Sequence, residues 1–267
     1  VELTTPATGG PRTLRLERDR GRLTVTLTRP AERNSITREL ITELGAALDL
    51  AEEAEDCRVV VLRAEGDTFC SGMDLSGVAE AARPDAADTR QGGDDYFALL
   101  ERLTTIGRIV VAQVDGQAVG GGVGLAAASD FVHATGRSRF SLPEALWGLL
   151  PCSVLPFLIR RVGFQRAYAM SLGTLPVTAA EAAAHGLVDE LADDPAPALR
   201  RLLFRASKLP PGTVADLKSY MRRLWILDDG TQRTAVDEFV RLMTTGQVRE
   251  RIAGYTAGTG PAAPPPR

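Results

Sequence analysis

Apolar and polar positions alternate at Leu14-Arg15-Leu16-Glu17 and again at Leu23-Thr24-Val25-Thr26-Leu27, with Asp19-Arg20-Gly21 between the two runs. Period two around a glycine-containing turn predicts a β-hairpin. Arg29-Pro30-Ala31-Glu32-Arg33-Asn34-Ser35 breaks the alternation, and from Ile36 to Ala54 the residues Ile36, Leu40, Ile41, Leu44, Ala47 and Leu48 fall on one face at helical spacing. Three unbroken apolar runs follow, at Val59–Leu62, Ile109–Val114 and Phe131–Ala134. Such runs are expected of parallel strands buried on both faces. Strands alternating with helical or loop sequence predict right-handed βαβ crossovers. Residues 78–93, rich in Ala, Asp, Arg and Gly without a clean period, read as a mobile surface loop. Helical spacing resumes over Val154–Leu172, and from Ala179 onward the chain reads as mostly helical, broken at Asp193-Asp194-Pro195 and Leu209-Pro210-Pro211-Gly212. The stretch from Gly258 to Arg267, with four prolines in its last seven residues, reads as disordered. No internal repeat is visible.

Composition narrows the class without naming it. A chain of 267 residues suits one large α/β domain with a small appendage. Hydrophobic residues at 44% and charged residues at 24% fit an ordinary globular protein. A net charge of −3 gives no expectation of nucleic acid or an anionic membrane as a partner. Cys57, Cys70 and Cys152 are widely spaced, and only His133 and His185 are available beside them, so neither a disulfide framework nor a metal site is expected. No apolar run has the length of a membrane span and no signal-peptide core is visible, which sets a cytoplasmic expectation.

Chemistry concentrates in three segments. Gly120-Gly121-Gly122-Val123-Gly124-Leu125 follows a strand and opens a helix, a turn that lets backbone N–H groups approach a ligand at the positive end of the helix dipole. Phe69-Cys70-Ser71-Gly72-Met73-Asp74-Leu75 holds a second glycine able to leave the next N–H exposed. Two such turns can converge on one carbonyl oxygen, where removing a single donor typically costs about 3 kcal/mol in barrier height. Alone, either is a tight turn. The third segment, Ser141-Leu142-Pro143-Glu144-Ala145-Leu146-Trp147-Gly148, reads as a helix start with Pro143 in its first turn and Ser141 or a neighbour as cap. Taken alone, Glu144 there is a helix-start charge. Leu142, Leu146 and Trp147 packed around it would raise its pKa and suit it to acid/base work near neutral pH.

These segments together resemble the enoyl-CoA hydratase/isomerase family, the crotonase superfamily, across nearly the whole chain. The order carries the likeness: Arg29-Pro30 with Asn34, Phe69 to Leu75, Val114-Asp115-Gly116-Gln117-Ala118-Val119-Gly120-Gly121-Gly122, Ala128-Ser129-Asp130, Pro143-Glu144, then Ala179-Ala180-Glu181-Ala182 with Gly186-Leu187-Val188. The resemblance implies an α/β spiral of ββα repeats with a C-terminal helical region that joins subunits into a trimer or a dimer of trimers. It implies a core over 1–190, a helical region over 191–257 and a tail over 258–267. It also implies an oxyanion hole on the N–H groups of Met73 and Gly121, and a CoA or phosphopantetheine thioester as substrate with no further cofactor.

One departure matters. Hydratases of this family carry a glutamate two residues after the triple glycine, where this chain has Gly124. Only Glu144 remains, enough to move a proton between two atoms on one face, and so for syn elimination of a β-hydroxyl or for shifting a double bond. Leu146 to Gly163, with Pro151-Cys152-Ser153-Val154-Leu155-Pro156-Phe157 and the pair Arg160-Arg161, looks like the dehydratases of polyketide β-branching. Those enzymes remove water from a 3-hydroxy-3-methylglutaryl group on an acyl carrier protein. The rivals are a Δ3,Δ2-enoyl isomerase, a decarboxylase and a non-catalytic scaffold of the same fold. An acidic substrate or carrier calls for cations, for which Arg29, Arg33, Arg160, Arg161, Lys218, Arg222 and Arg223 are available. The substrate-binding set is Arg29, Ser71, Asp74 and Gly120, together with Lys218 and Arg222, which share a helix face at i, i+4. Tyr96 and Phe97 line the acyl pocket or the core, His133 reads as a satisfied core histidine, and Cys70 as small packing.

Overall fold

The structure, a computed structural model, describes residues 11–75, 85–225 and 228–256. The expected hairpin forms from β1 (Leu14–Asp19) and β2 (Arg22–Leu27), joined through Arg20 and Gly21. Helix α1 (Arg38–Glu53) follows, its first turn capped by the Thr37 hydroxyl, which accepts from the Leu40 N–H at 3.2 Å. The chain then turns three times in one pattern. Strand β3 (Val59–Ala64) leads to the short β4 (Thr68–Cys70) and helix α2 (Ala86–Thr105). Strand β5 (Ile109–Val114) leads to β6 (Gln117–Val119) and helix α3 (Gly121–Ala128), and β7 (Phe131–Ala134) leads to β8 (Arg139–Ser141) and a single 3-10 turn, Glu144–Trp147. The remaining pieces are α4 (Leu155–Val162), α5 (Phe164–Gly173), β9 (Val177–Thr178), α6 (Ala179–Ala184), β10 (Glu190–Leu191), α7 (Ala196–Ala206), α8 (Thr213–Leu224), α9 (Asp229–Met243) and α10 (Gly246–Thr256).

Each turn gives its first strand to a six-stranded sheet of order β1-β2-β3-β5-β7-β10 and its second to a four-stranded sheet of order β4-β6-β8-β9. The repeat is structural rather than sequential. The unit beginning at β3 is far longer than the one beginning at β5, since it holds α2 and the segment before it, so no fixed period marks the sequence. The unbroken apolar runs are explained by burial on both faces. Val60, Leu62, Val110 and Ala112 enter the main core, whereas Val59, Val61, Ile109 and Val111 pack under Leu199 and Ala206 of α7.

Three local expectations change. Residues 86–93 are the start of α2, capped by Asp85 whose carboxylate accepts from the Ala87 N–H at 2.9 Å; residues 78–84 lie outside the described residues, as does 258–267. Gly93 hid this helix from pattern reading and serves it in the fold, letting α2 approach Val236 and Phe239 of α9. The stretch Val154–Leu172 is two helices meeting at Gly163. The helix expected at Pro143 is only the 3-10 turn, with Pro143 preceding it and no side-chain cap. Among the described residues no helix is long and apolar enough to cross a membrane, and no group of three or more His, Cys, Asp or Glu is placed to hold a metal.

Candidate active site

All three chemical segments leave the C-terminal ends of adjacent parallel strands in the small sheet. Residues 71–75 follow β4, the triple glycine follows β6, and Leu142-Pro143-Glu144 follows β8. Neighbouring strands lie about 4.8 Å apart, so the topology alone brings the exits together. The two glycine loops thus leave β4 and β6, not the long strands β3 and β5. Three-residue strands are too short to show a period, so this second sheet was invisible in the sequence.

Gly72 and Gly120 both have backbone angles that favour glycine, φ 84° and 54°. They also have no room for a side chain. A Cβ at Gly72 would lie 2.8 Å from the Val119 carbonyl and 3.2 Å from the Gly121 nitrogen, and one at Gly120 would lie 2.9 Å from Glu144 Oε1. Thus the two loops and the carboxylate close on one point. Met73 forms a parallel bridge with Ile36, in which the Ile36 N–H donates to the Gly72 carbonyl (2.8 Å) and the Asp74 N–H to the Ile36 carbonyl (3.1 Å). That pattern turns the Met73 N–H away from Ile36. Gly121 is the first residue of α3, a position whose N–H has no partner within the helix.

The Ile36 segment is itself held by Asn34, which is buried in the left-handed region at φ 51°. Its amide donates to the carbonyls of Glu65 (3.0 Å) and Thr68 (2.7 Å) and accepts from the Arg29 N–H (2.9 Å), tying three segments together.

Burial pushes the Glu144 carboxyl up from 4.5 to about 7, opposed only by its own backbone N–H. Its Oε2 is buried with no hydrogen-bond partner among the described residues. Leu142 is fully buried, while Trp147 and Leu149 pack with Met243, Val248 and Ile252 so that α10 closes over the turn carrying Glu144. The Tyr96 hydroxyl donates to the Gly121 carbonyl at 2.5 Å. It also occupies the space next to Gly124, where any Cβ would overlap it. Pattern reading had Tyr96 only as a pocket or core aromatic, since nothing in the sequence joins residues so far apart. Phe97 is core, 5.4 Å from the Phe157 ring.

Two members of the expected substrate-binding set are spent inside the chain. Lys218 is paired with Asp130 at 2.7 Å and also donates to the carbonyls of Leu103 and Arg108, and Arg222 is paired with Glu101. They share a helix face as expected, but that face points inward. Arg160 and Arg161 are likewise internal: they donate to the carbonyls of Ala127, Ser129 and Asp130 at the C-terminal end of α3, the favourable end for cations. Arg29 stays within 3.8 Å of Glu32, and Arg33 donates to Gln117 at 2.7 Å. The Ser71 N–H donates to the Arg33 carbonyl, and Ser71, Asp74 and Gly120 all stand in the loops around the point of closure. His133 is buried in β7, yet its Nδ1 has no partner among the described residues, so it is not the satisfied histidine expected. Burial holds the Cys70 thiol at about 12, which makes it inert packing.

A parallel-strand scaffold here brings two glycine turns and one buried carboxylate to a single point of an α/β fold. The chain belongs to the enoyl-CoA hydratase/isomerase family, whose sequence profile matches residues 17–256, and it is a hydratase/dehydratase-type enzyme of the crotonase superfamily. Among curated relatives, the bacillaene synthase dehydratase PksH of Bacillus subtilis (strain 168) is 33% identical over 200 residues, 75% of this chain and 76% of that protein. The crystal structure of a polyketide biosynthesis enoyl-CoA hydratase (pksH) from Bacillus subtilis superposes with a TM-score of 0.85 at 28% identity, covering 94% of this chain and 99% of the other. An enoyl-CoA hydratase from Mycobacterium avium superposes with a TM-score of 0.83 at 25% identity, covering 94% and 98%.

Proposed function

We propose that this chain dehydrates a β-hydroxyacyl thioester, and specifically a 3-hydroxy-3-methylglutaryl group on an acyl carrier protein, giving the 3-methylglutaconyl thioester. The observation that carries the reading is the isolation of Glu144: a buried carboxylate with a free Oε2 and a pKa near 7, facing a site whose second-carboxylate position is Gly124 covered by Tyr96. The PksH likeness supplies the dehydratase direction.

In this mechanism the thioester carbonyl accepts from the N–H groups of Met73 and Gly121. Glu144, as carboxylate, takes the α-proton, and the electron pair moves into the carbonyl as an enolate held by those donors. The protonated Glu144 then gives the same proton to the β-hydroxyl on the same face. The C–O bond breaks, water leaves, the double bond forms, and Glu144 is again a carboxylate. Ser71, Asp74, Gly120 and Arg29 border the acyl and pantetheine path. The substrate itself carries the phosphopantetheine or CoA, so no other cofactor enters. The assembly is a homotrimer or a dimer of trimers, and its apolar helix faces favour that arrangement. Turnover of one β-hydroxy acid supplied both as its CoA thioester and on the carrier protein tests the substrate class. A kcat/KM at least tenfold higher for the carrier-bound form is expected, and equal values would remove the carrier protein from the account.

A further inference from the structure

The first turn of α3 is built from weak material. Gly121, Gly122 and Gly124 occupy three of its first four positions, glycine is the poorest helix former after proline, and Gly120 offers no side-chain cap. Yet this turn must hold one N–H still. The Tyr96 hydroxyl donates to the Gly121 carbonyl at 2.5 Å. A Cβ at Gly121 would come within 3.2 Å of that hydroxyl and 3.4 Å of Cζ, and the space beside Gly124 is closed by the same hydroxyl together with Val154 and Leu100. Burial first, then Cys70 and Glu144, keep the phenol far above its ordinary pKa, so it is a donor at every working pH. Its own helix is fixed in turn. Asp94 accepts from Gln232 at 3.1 Å, Arg90 pairs with Asp237 at 2.6 Å, and Phe97 packs on Phe157.

We infer that Tyr96 is a positioning residue whose hydroxyl, through the Gly121 carbonyl, holds the first turn of α3 in the orientation that aims the Gly121 N–H at the thioester oxygen, a role that rests on the oxyanion reading above. Tyr96 does not touch the reacting atoms in this account. It supplies the rigidity that the glycines give up, and the absence of a side chain at 124 is what leaves room for it.

Two substitutions break the same contact from opposite sides. Tyr96→Phe removes the donor and keeps the ring; Gly124→Ala keeps the donor and displaces it. The direct readout is the infrared C=O band of a 13C-labelled butyryl thioester of phosphopantetheine, which binds without a β-hydroxyl to lose and whose red shift reports the field of the two N–H groups. In the wild type the band shifts to the red, and each single variant loses about half of that shift or more, since one of two donors is misaimed. With the loaded carrier protein, each single variant lowers kcat about tenfold or more with KM within about threefold. The double variant falls no further than the worse single one, because the alanine methyl then meets no hydroxyl. A red shift unchanged in Tyr96→Phe overturns the positioning role whatever kcat does, as do additive losses in the double variant. A wild type with no red shift overturns the oxyanion reading and this role with it.

Discussion

Glu144 is costly to the fold in the form that reacts. Its folded pKa of about 7 stands above its ordinary 4.5, so the folded protein binds a proton the unfolded chain has lost between those values. Stability tied to this group is full below pH 4.5 and is lost as pH rises through 7. Glu144→Gln therefore stabilises the protein at pH 8, by up to about 3 kcal/mol, with the difference vanishing below pH ~4.5. Urea titrations at the two pH values check this; equal stability at pH 8 would show that the carboxylate is solvated. Turnover runs the other way. In the proposed mechanism the carboxylate starts the reaction, so kcat/KM should rise with pH along an acid limb centred near 7, measured in initial rates from pH 5 to 9. At this scale the sequence was partly legible: Leu142 and Trp147 beside Glu144 implied a raised pKa, and burial produces it. Lys218 and Arg222 were misread because helical spacing fixes a shared face but not where it points, and Asp130 and Glu101 lie far away in the chain.

Among the elements, α3 links the site to the helical C-terminal region. It is buried on every side, its N-terminus faces Gly72, and its C-terminal carbonyls are held by Arg160 and Arg161, with Lys218 on Asp130 beside them. Lys218→Met leaves the half-buried Asp130 carboxylate with the Val110 N–H but without its cation, and a loss of about 1–3 kcal/mol in chemical denaturation is expected. A loss below about 0.5 kcal/mol would mean that water replaces the ammonium. Asn34→Ala removes three hydrogen bonds from the loop that seats Met73 and costs about 2–4 kcal/mol by the same measurement. A neutral result there would detach Asn34 from the site's architecture. Hairpin, α1 and the long parallel strands were legible because each spans enough residues to show its period. The strands β4, β6 and β8 were not, and they are what brings the three chemical segments together. Helix α2 was obscured by Gly92 and Gly93; Gly93 packs closely on Val236 and Phe239 of α9, whereas a side chain at Gly92 would meet open space.

At the scale of the whole molecule, the exposed surface carries apolar faces on two helices. Phe164, Tyr168 and Leu172 line one side of α5, and Leu217, Tyr220, Met221 and Leu224 one side of α8, with Phe164 at 69% and Leu224 at 62% exposure. Such faces mark contact surfaces. The proposed trimer covers them, so sedimentation should give three or six chains, and Leu172→Glu with Leu224→Glu should yield monomers. A wild-type monomer at micromolar concentration would remove the trimer. Whether one carboxylate runs the chemistry is decided by intact-mass analysis of acyl carrier protein loaded with 3-hydroxy-3-methylglutaryl and treated with the wild type and with Glu144→Gln. The expected result is loss of one water in the wild type and a rate at least about a thousandfold lower in the variant. An unchanged mass with a shifted absorbance, loss of carbon dioxide, or equal turnover by the variant would contradict the account.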